Sequence, residues 1–143
     1  MRVAEILERK GTLTVTVQRT DSVNRAVDVL REYGFGALVV SSDGKSIDGI
    51  VSERDIVRAL GLREDLLDMD VAEIMTSRVF TCQPDDPLDE LMAMMTERRI
   101  RHLPVEVDGR LVGLVSIGDV VKYRLAQLED EAQAMVDYIH HGR

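Results

Sequence analysis

The chain has 143 residues, 45% hydrophobic and 31% charged, enough to bury the core of one ordinary domain or two small halves and unlike a disordered composition. A formal net charge of −8, 3% aromatic residues and no Trp argue against a nucleic-acid binder, which needs a basic face or a stacking platform. The single cysteine, Cys82, excludes an internal disulfide framework and a Cys-rich metal site, and the charged opening MRVAEILERK together with the lack of an 18-residue apolar run leads us to expect a soluble, cytoplasmic protein with no membrane partner.

In chain order, an amphipathic N-terminal segment carries Val3, Ile6 and Leu7, expected either to join the surface made by the C-terminal helix or to dock on the second half of the chain. A short apolar strand is expected at 13–17. The helix after it has Val23, Ala26, Val27 and Leu30 at helical spacing, with Asp21-Ser22 as its start signal. Strands at 37–41 and 47–51 follow, joined by a turn at Asp43-Gly44, and a second helix begins at Ser52. The same order then returns. A strand is expected at 78–82, then a helix bearing Leu88, Leu91, Met92 and Met95 after Asp85-Asp86-Pro87. Strands at 102–106 and 111–115 flank a turn at Asp108-Gly109, and a helix begins at Ser116.

The repetition is written into the residues as well as the pattern. VAEIL at 3–7 returns as VAEIM at 71–75, VQRTDSVNRAVDVL at 17–30 aligns with CQPDDPLDELMAMM at 82–95, and GIVSERDIV at 49–57 returns as GLVSIGDVV at 113–121. A period of this length marks a duplicated structural unit. One such unit buries little alone, so the two are expected to pack face to face about a pseudo-twofold axis. Beyond the second copy, Val121, Leu125, Leu128, Ala132, Met135 and Ile139 alternate in steps of four and three, an a/d seam of nearly three heptads. That seam is expected to be covered, by the chain's own surface or by a second copy. The units are drawn as 1–67 (first repeat with the N-terminal helix), 68–125 (second repeat) and 126–143 (helical tail), in an α+β, sandwich-like fold.

The motif Ser-x-x-Asp, present as Ser52/Asp55 and Ser116/Asp119, admits two readings. As a capping box, the hydroxyl accepts from the third amide and the acid reaches back. As a binding element, a carboxylate at a helix start can accept from the two hydroxyls of a ribose, beside amides that suit a phosphate. The repeated G-h-V-S-x-x-D segments, the two VAEI openings and RIRHLPV at 99–105 make the chain resemble a tandem pair of cystathionine-β-synthase-type (CBS) domains over roughly residues 3–125.

That resemblance implies an adenosine-nucleotide ligand (AMP, ADP, ATP or NAD), no required metal, and a flat homodimer regulating a protein partner. It also implies sites built across the pair. A main site would use Lys10, Val15, Arg101, His102, Leu103, Pro104, Ser116 and Asp119. A weaker one would use Gly36, Ala37, Leu38, Ser52, Asp55 and Phe80, which lacks the Arg101-His102 pair and carries Glu53 beside Ser52. No metal-binding, nucleophile or P-loop motif occurs, so enzymatic activity is not expected. Rival readings remain a ligand-free interaction protein whose motifs are caps alone, and a small enzyme using His102.

Overall fold

The computed structural model describes residues 1–142. Helix α1 (Val3–Lys10) leads to the two-residue strand β1 (Thr16–Val17), then α2 (Val23–Tyr33), β2 (Ala37–Val40), β3 (Gly49–Ser52) and α3 (Glu53–Leu60). Two 3-10 turns, Leu66–Asp68 and Val71–Glu73, connect to α4 (Leu88–Arg98), β4 (His102–Val107), β5 (Arg110–Ser116) and the 25-residue α5 (Ile117–His141). The fold is thus mixed α and β, with two small sheets. In the first, β1 runs parallel to β2 and β2 antiparallel to β3; in the second, β4 and β5 form an antiparallel pair.

Two expected strands shrink. The segment 13–17 narrows to Thr16–Val17. At 78–82 only Cys82 pairs, its amide donating to the Pro104 carbonyl (3.0 Å) while its own carbonyl accepts from the Glu106 amide (2.9 Å). The next residue leaves the ladder because the Gln83 amide donates to Asp86 Oδ2 (2.8 Å), and Pro84 has no amide to return with.

The two cores exchange their openings. Val3, Ile6 and Leu7 of α1 lie in the second core, among Leu88, Leu91, Met95, Leu103, Val105 and Val115. Leu66, Met69 and Val71 lie in the first, among Val23, Ala26, Leu30, Leu38 and Val51. Backbone bonds pin each opening across the axis: the Ala4 amide donates to Pro84 O (2.9 Å) and the Ala72 amide to Arg19 O (3.0 Å). Drawn from the sequence as part of the first repeat, the N-terminal helix therefore packs on the second.

This exchange explains the glycine that opens the repeated nonamer. A Cβ on Gly113 would sit 2.7 Å from a Leu7 methyl carbon, and one on Gly49 would sit 2.7 Å from Met75 Sδ and 3.0 Å from the Thr76 carbonyl oxygen. Neither glycine is there for a left-handed backbone. Each leaves room for the other half's opening segment to lie against the strand.

Candidate ligand-binding clefts

Both Ser-x-x-Asp motifs are capping boxes. Ser52 Oγ accepts from the Asp55 amide (3.3 Å) while Asp55 Oδ2 accepts from the Ser52 amide (2.9 Å) and hydroxyl (3.0 Å). Ser116 Oγ accepts from the Asp119 amide (3.2 Å) and Asp119 Oδ2 from the Ser116 amide (3.0 Å). Capping engages one carboxylate oxygen in each case. Among the described residues, Oδ1 of Asp55 and of Asp119 has no hydrogen-bond partner. The first amide of each helix is also taken: Glu53 donates to Gly36 O (3.0 Å) and Ile117 to Arg101 O (2.8 Å). Of the phosphate-suited amides, those of Arg54 and Gly118 have no hydrogen-bond partner among the described residues.

Each motif borders a cavity, and the two cavities share Gly36 and His102. The first, about 270 Å³, brings Ser52, Asp55 and Phe80 together with Arg54, Arg58, Arg78, Arg99 and Arg101. The second, about 350 Å³, gathers Lys10, Val15, Ser116 and Asp119 against Leu13, Phe35, Ala37, Val39 and Leu114. The second volume sits at the lower end of ligand sites, about 300–1,000 Å³, and the first just below it.

The placement departs from the sequence expectation in several ways. Arg101, assigned to the second site, lines the first cavity. The chain leaves α4 through a left-handed Arg99 (φ 54°, ψ 41°), and Arg101 and His102 then follow in succession, with only His102 reaching both cavities. Leu103 and Pro104 are buried and line neither cavity; Leu103, the residue after His102, points by strand alternation to the opposite face, into the second core. Leu38 is likewise buried in the first core, and Ala37 faces the second cavity instead of the first. The first cavity, expected to lack the Arg101–His102 pair, is bordered by both residues. Sequence reading missed Arg58 and Arg78, took Arg54 only as an offset to Glu53, and left Arg99 to a solvated helix end, because the four come from three separate segments that only the fold brings together.

The electrostatics differ in kind. In the second cavity, Lys10 Nζ lies 2.5 Å from Asp119 Oδ2 and donates to the Leu114 carbonyl at 2.7 Å. Burial alone would raise the Asp119 carboxyl. The Lys10 ammonium and the Ser116 amide and hydroxyl outweigh it and hold the group below the ordinary carboxylate range. Asp55 has no such ion pair among the described residues. Phe80 carries the Arg98 guanidinium over its ring, 4.7 Å from the centroid, a cation–π arrangement. His102 is held below its ordinary pKa, first by burial and then by the nearby Lys10 and Arg101, against the opposing pull of Glu53 and Asp119. Its ring fits because position 36 is glycine: a Cβ there would lie 3.1 Å from His102 Nε2. Cys82 is 2% exposed and its thiol is pushed up to about 12, chiefly by burial, which suits packing rather than nucleophilic attack.

Comparison with known proteins agrees with this architecture. The CBS-domain family matches twice, over residues 3–62 and 71–126. A CBS-domain-containing protein from Agrobacterium tumefaciens is 42% identical, with a TM-score of 0.84 over 87% of this chain and 99% of that one. A CBS-domain protein from Pyrobaculum aerophilum, solved in complex with AMP, is 32% identical, with a TM-score of 0.73 over 83% of this chain and 89% of that one. A mitochondrial CBS-domain-containing protein of Arabidopsis thaliana is 35% identical over 85% of this chain, a match spanning 62% of the plant protein's own length. Among the described residues no helix is long and apolar enough to cross a membrane.

Proposed function

The chain belongs to the CBS-domain family, and we propose that it is a regulatory module that binds an adenosine nucleotide (AMP, ADP, ATP or NAD) in the cleft between its repeats. The observation that carries this reading is the mirrored pair of capping carboxylates, each with one free oxygen, facing two cavities that meet at His102. A ribose needs an acceptor for its vicinal hydroxyls, and Oδ1 supplies one without breaking the cap. The solved AMP complex of the Pyrobaculum relative supports the ligand class.

The two cavities divide the work by charge. The first holds five arginines and an unpaired Asp55, so it is the site for the nucleotide bearing the most phosphate. The second offers apolar walls at Val15, Leu13 and Val39 for an adenine, and its one lysine is already committed to Asp119. It favours a ligand of lower charge. Binding regulates by differing in affinity between two arrangements of the repeats or of the subunits of a homodimer, and so biases a protein partner.

A thermal-shift and calorimetric panel with AMP, ADP, ATP, NAD, S-adenosylmethionine and GTP tests the reading, since a ligand that binds the folded state raises the midpoint. Adenosine ligands should raise it, with the most phosphorylated losing most affinity in Asp55→Asn. A flat panel would leave the motifs as caps and the protein as an interaction module.

A further inference from the structure

The second half of α5 has nothing of its own chain beside it. From Leu128 onward every described residue of the helix is exposed, yet the segment carries Leu128, Met135, Val136, Tyr138 and Ile139, with Ile139 63% and Tyr138 77% exposed. A helical overhang of this length is marginal in water without a packed face. The seam assigns Leu125, Ala132 and Ile139 to one core position of a heptad and Val121, Leu128 and Met135 to the other, with Lys122, Glu129 and Val136, and Arg124 and Glu131, at the flanks.

We propose that this helix pairs with the same helix of a second copy as a parallel, in-register two-stranded coiled coil. The flanking charges choose the direction. In the parallel arrangement a flank residue meets the one five positions later on its partner, which sets Arg124 opposite Glu129 of the second copy, twice by symmetry. The antiparallel register that covers the whole seam instead sets Glu129 against Glu129 and Glu131 against Glu131, like charges face to face. Sliding the antiparallel pair by one heptad relieves that repulsion but leaves Met135 and Ile139 uncovered. Only the parallel arrangement satisfies both the seam and the charges. To reach Glu129 of the second copy Arg124 gives up only local contacts, a bond from Nη1 to Gln127 Oε1 (2.8 Å) and a link to Asp89 that spans 4.0 Å. The proposal rests on the dimer part of the proposed function and is independent of the ligand.

Disulfide trapping in the full chain decides it. In the parallel coil residue 135 faces its own counterpart, whereas in the antiparallel coil it lies ten residues away, about 15 Å along the axis. Met135→Cys should therefore give a covalent dimer under mild oxidation, while the unmodified chain, whose Cys82 is buried, stays uncrosslinked. Glu129→Arg should weaken the dimer roughly threefold or more, as expected of two exposed ion pairs replaced by repulsion, and Arg124→Glu added to it should restore the dimer. Trapping only in a mixture of Leu125→Cys and Met135→Cys chains would overturn the parallel direction. A dimer by light scattering that no seam cysteine traps would overturn the coil but leave the dimer reading standing, and a monomer would overturn both.

Discussion

Arg99→Gly should make the protein more stable and its ligand weaker. Arg99 ends α4 in the left-handed region, φ 54° and ψ 41°, the place that Gly34 fills at the end of α2 with φ 68° and ψ 29°. The surrounding bonds are the same: the Ile100 amide donates to Met95 O and the Phe35 amide to Leu30 O, both at 3.1 Å. Left-handed backbone costs a residue with a Cβ about 1–2 kcal/mol, while glycine returns about 0.5–1 kcal/mol of that as extra freedom in the unfolded chain. The net gain is about 0.5–1 kcal/mol, or a rise of roughly 2–3 °C in midpoint for a chain of this size. Arg99→Ala is the comparison, because it removes the same guanidinium and keeps the strained backbone. Chemical and thermal denaturation of the three proteins read the stability, and calorimetry with a phosphorylated adenosine ligand reads the cavity. Both variants should lose affinity, and only the glycine variant should gain stability. If Arg99→Gly melts no higher than Arg99→Ala, the strain argument fails.

Ser52→Ala and Ser116→Ala should each lose on the order of 1 kcal/mol in denaturant titrations, the usual worth of an N-cap. Gly49→Ala should cost about 1–3 kcal/mol by overpacking; adding Met75→Ala should recover only part, because the Thr76 carbonyl, fixed by the Ile50 amide at 3.0 Å, still blocks the new methyl. His102 is held below its ordinary pKa, so folding favours the neutral ring: its stabilisation is complete above about pH 6.5 and declines as pH falls through that value toward the depressed one. Melting curves between pH 8 and pH 5 should thus fall less steeply for His102→Gln than for the parent. Lys10→Met removes the counter-ion of Asp119, so NMR titration should show that carboxyl moving up from its position in the parent, with the Ser116 bonds left to oppose burial.

Much of the fold was legible because it is written twice. The alternation of apolar residues, the turns at Asp43-Gly44 and Asp108-Gly109, and the caps at Ser52 and Ser116 are local signals, and local signals survive reading one residue at a time. The exchange of VAEI segments between cores was only half legible: docking of Val3, Ile6 and Leu7 on the second repeat was one of two alternatives, and nothing in residues 3–7 chooses between them. The strand at 78–82 shrinks to the single pairing of Cys82, and the ladder cannot run on past it because Asp86 captures the Gln83 amide and Pro84 has none to offer. The cavities were least legible. Asp55 and Asp119 could be singled out by motif, whereas five arginines from α3, the segment after the second 3-10 turn, and the exit of α4 converge only in three dimensions.

That convergence also explains how a symmetric scaffold comes to have unlike sites. The repeats agree at the caps and at the two packing glycines, positions where the fold itself would suffer from change. They disagree most over 98–102, Arg-Arg-Ile-Arg-His against Tyr-Gly-Phe-Gly-Ala at 33–37. Because the exits of α2 and α4 meet where Gly36 faces His102, this one segment borders both cavities: Arg99 and Arg101 load the first, and His102 divides it from the second. Gly36, the counterpart of Arg101 in the first repeat, makes the room His102 occupies. A divergence of five residues in one copy thereby equips both clefts, one with charge and the other with a titratable wall. Any ligand in either cavity then has His102 as a neighbour, and Gly36→Ala, which would press on its ring, should alter binding in both.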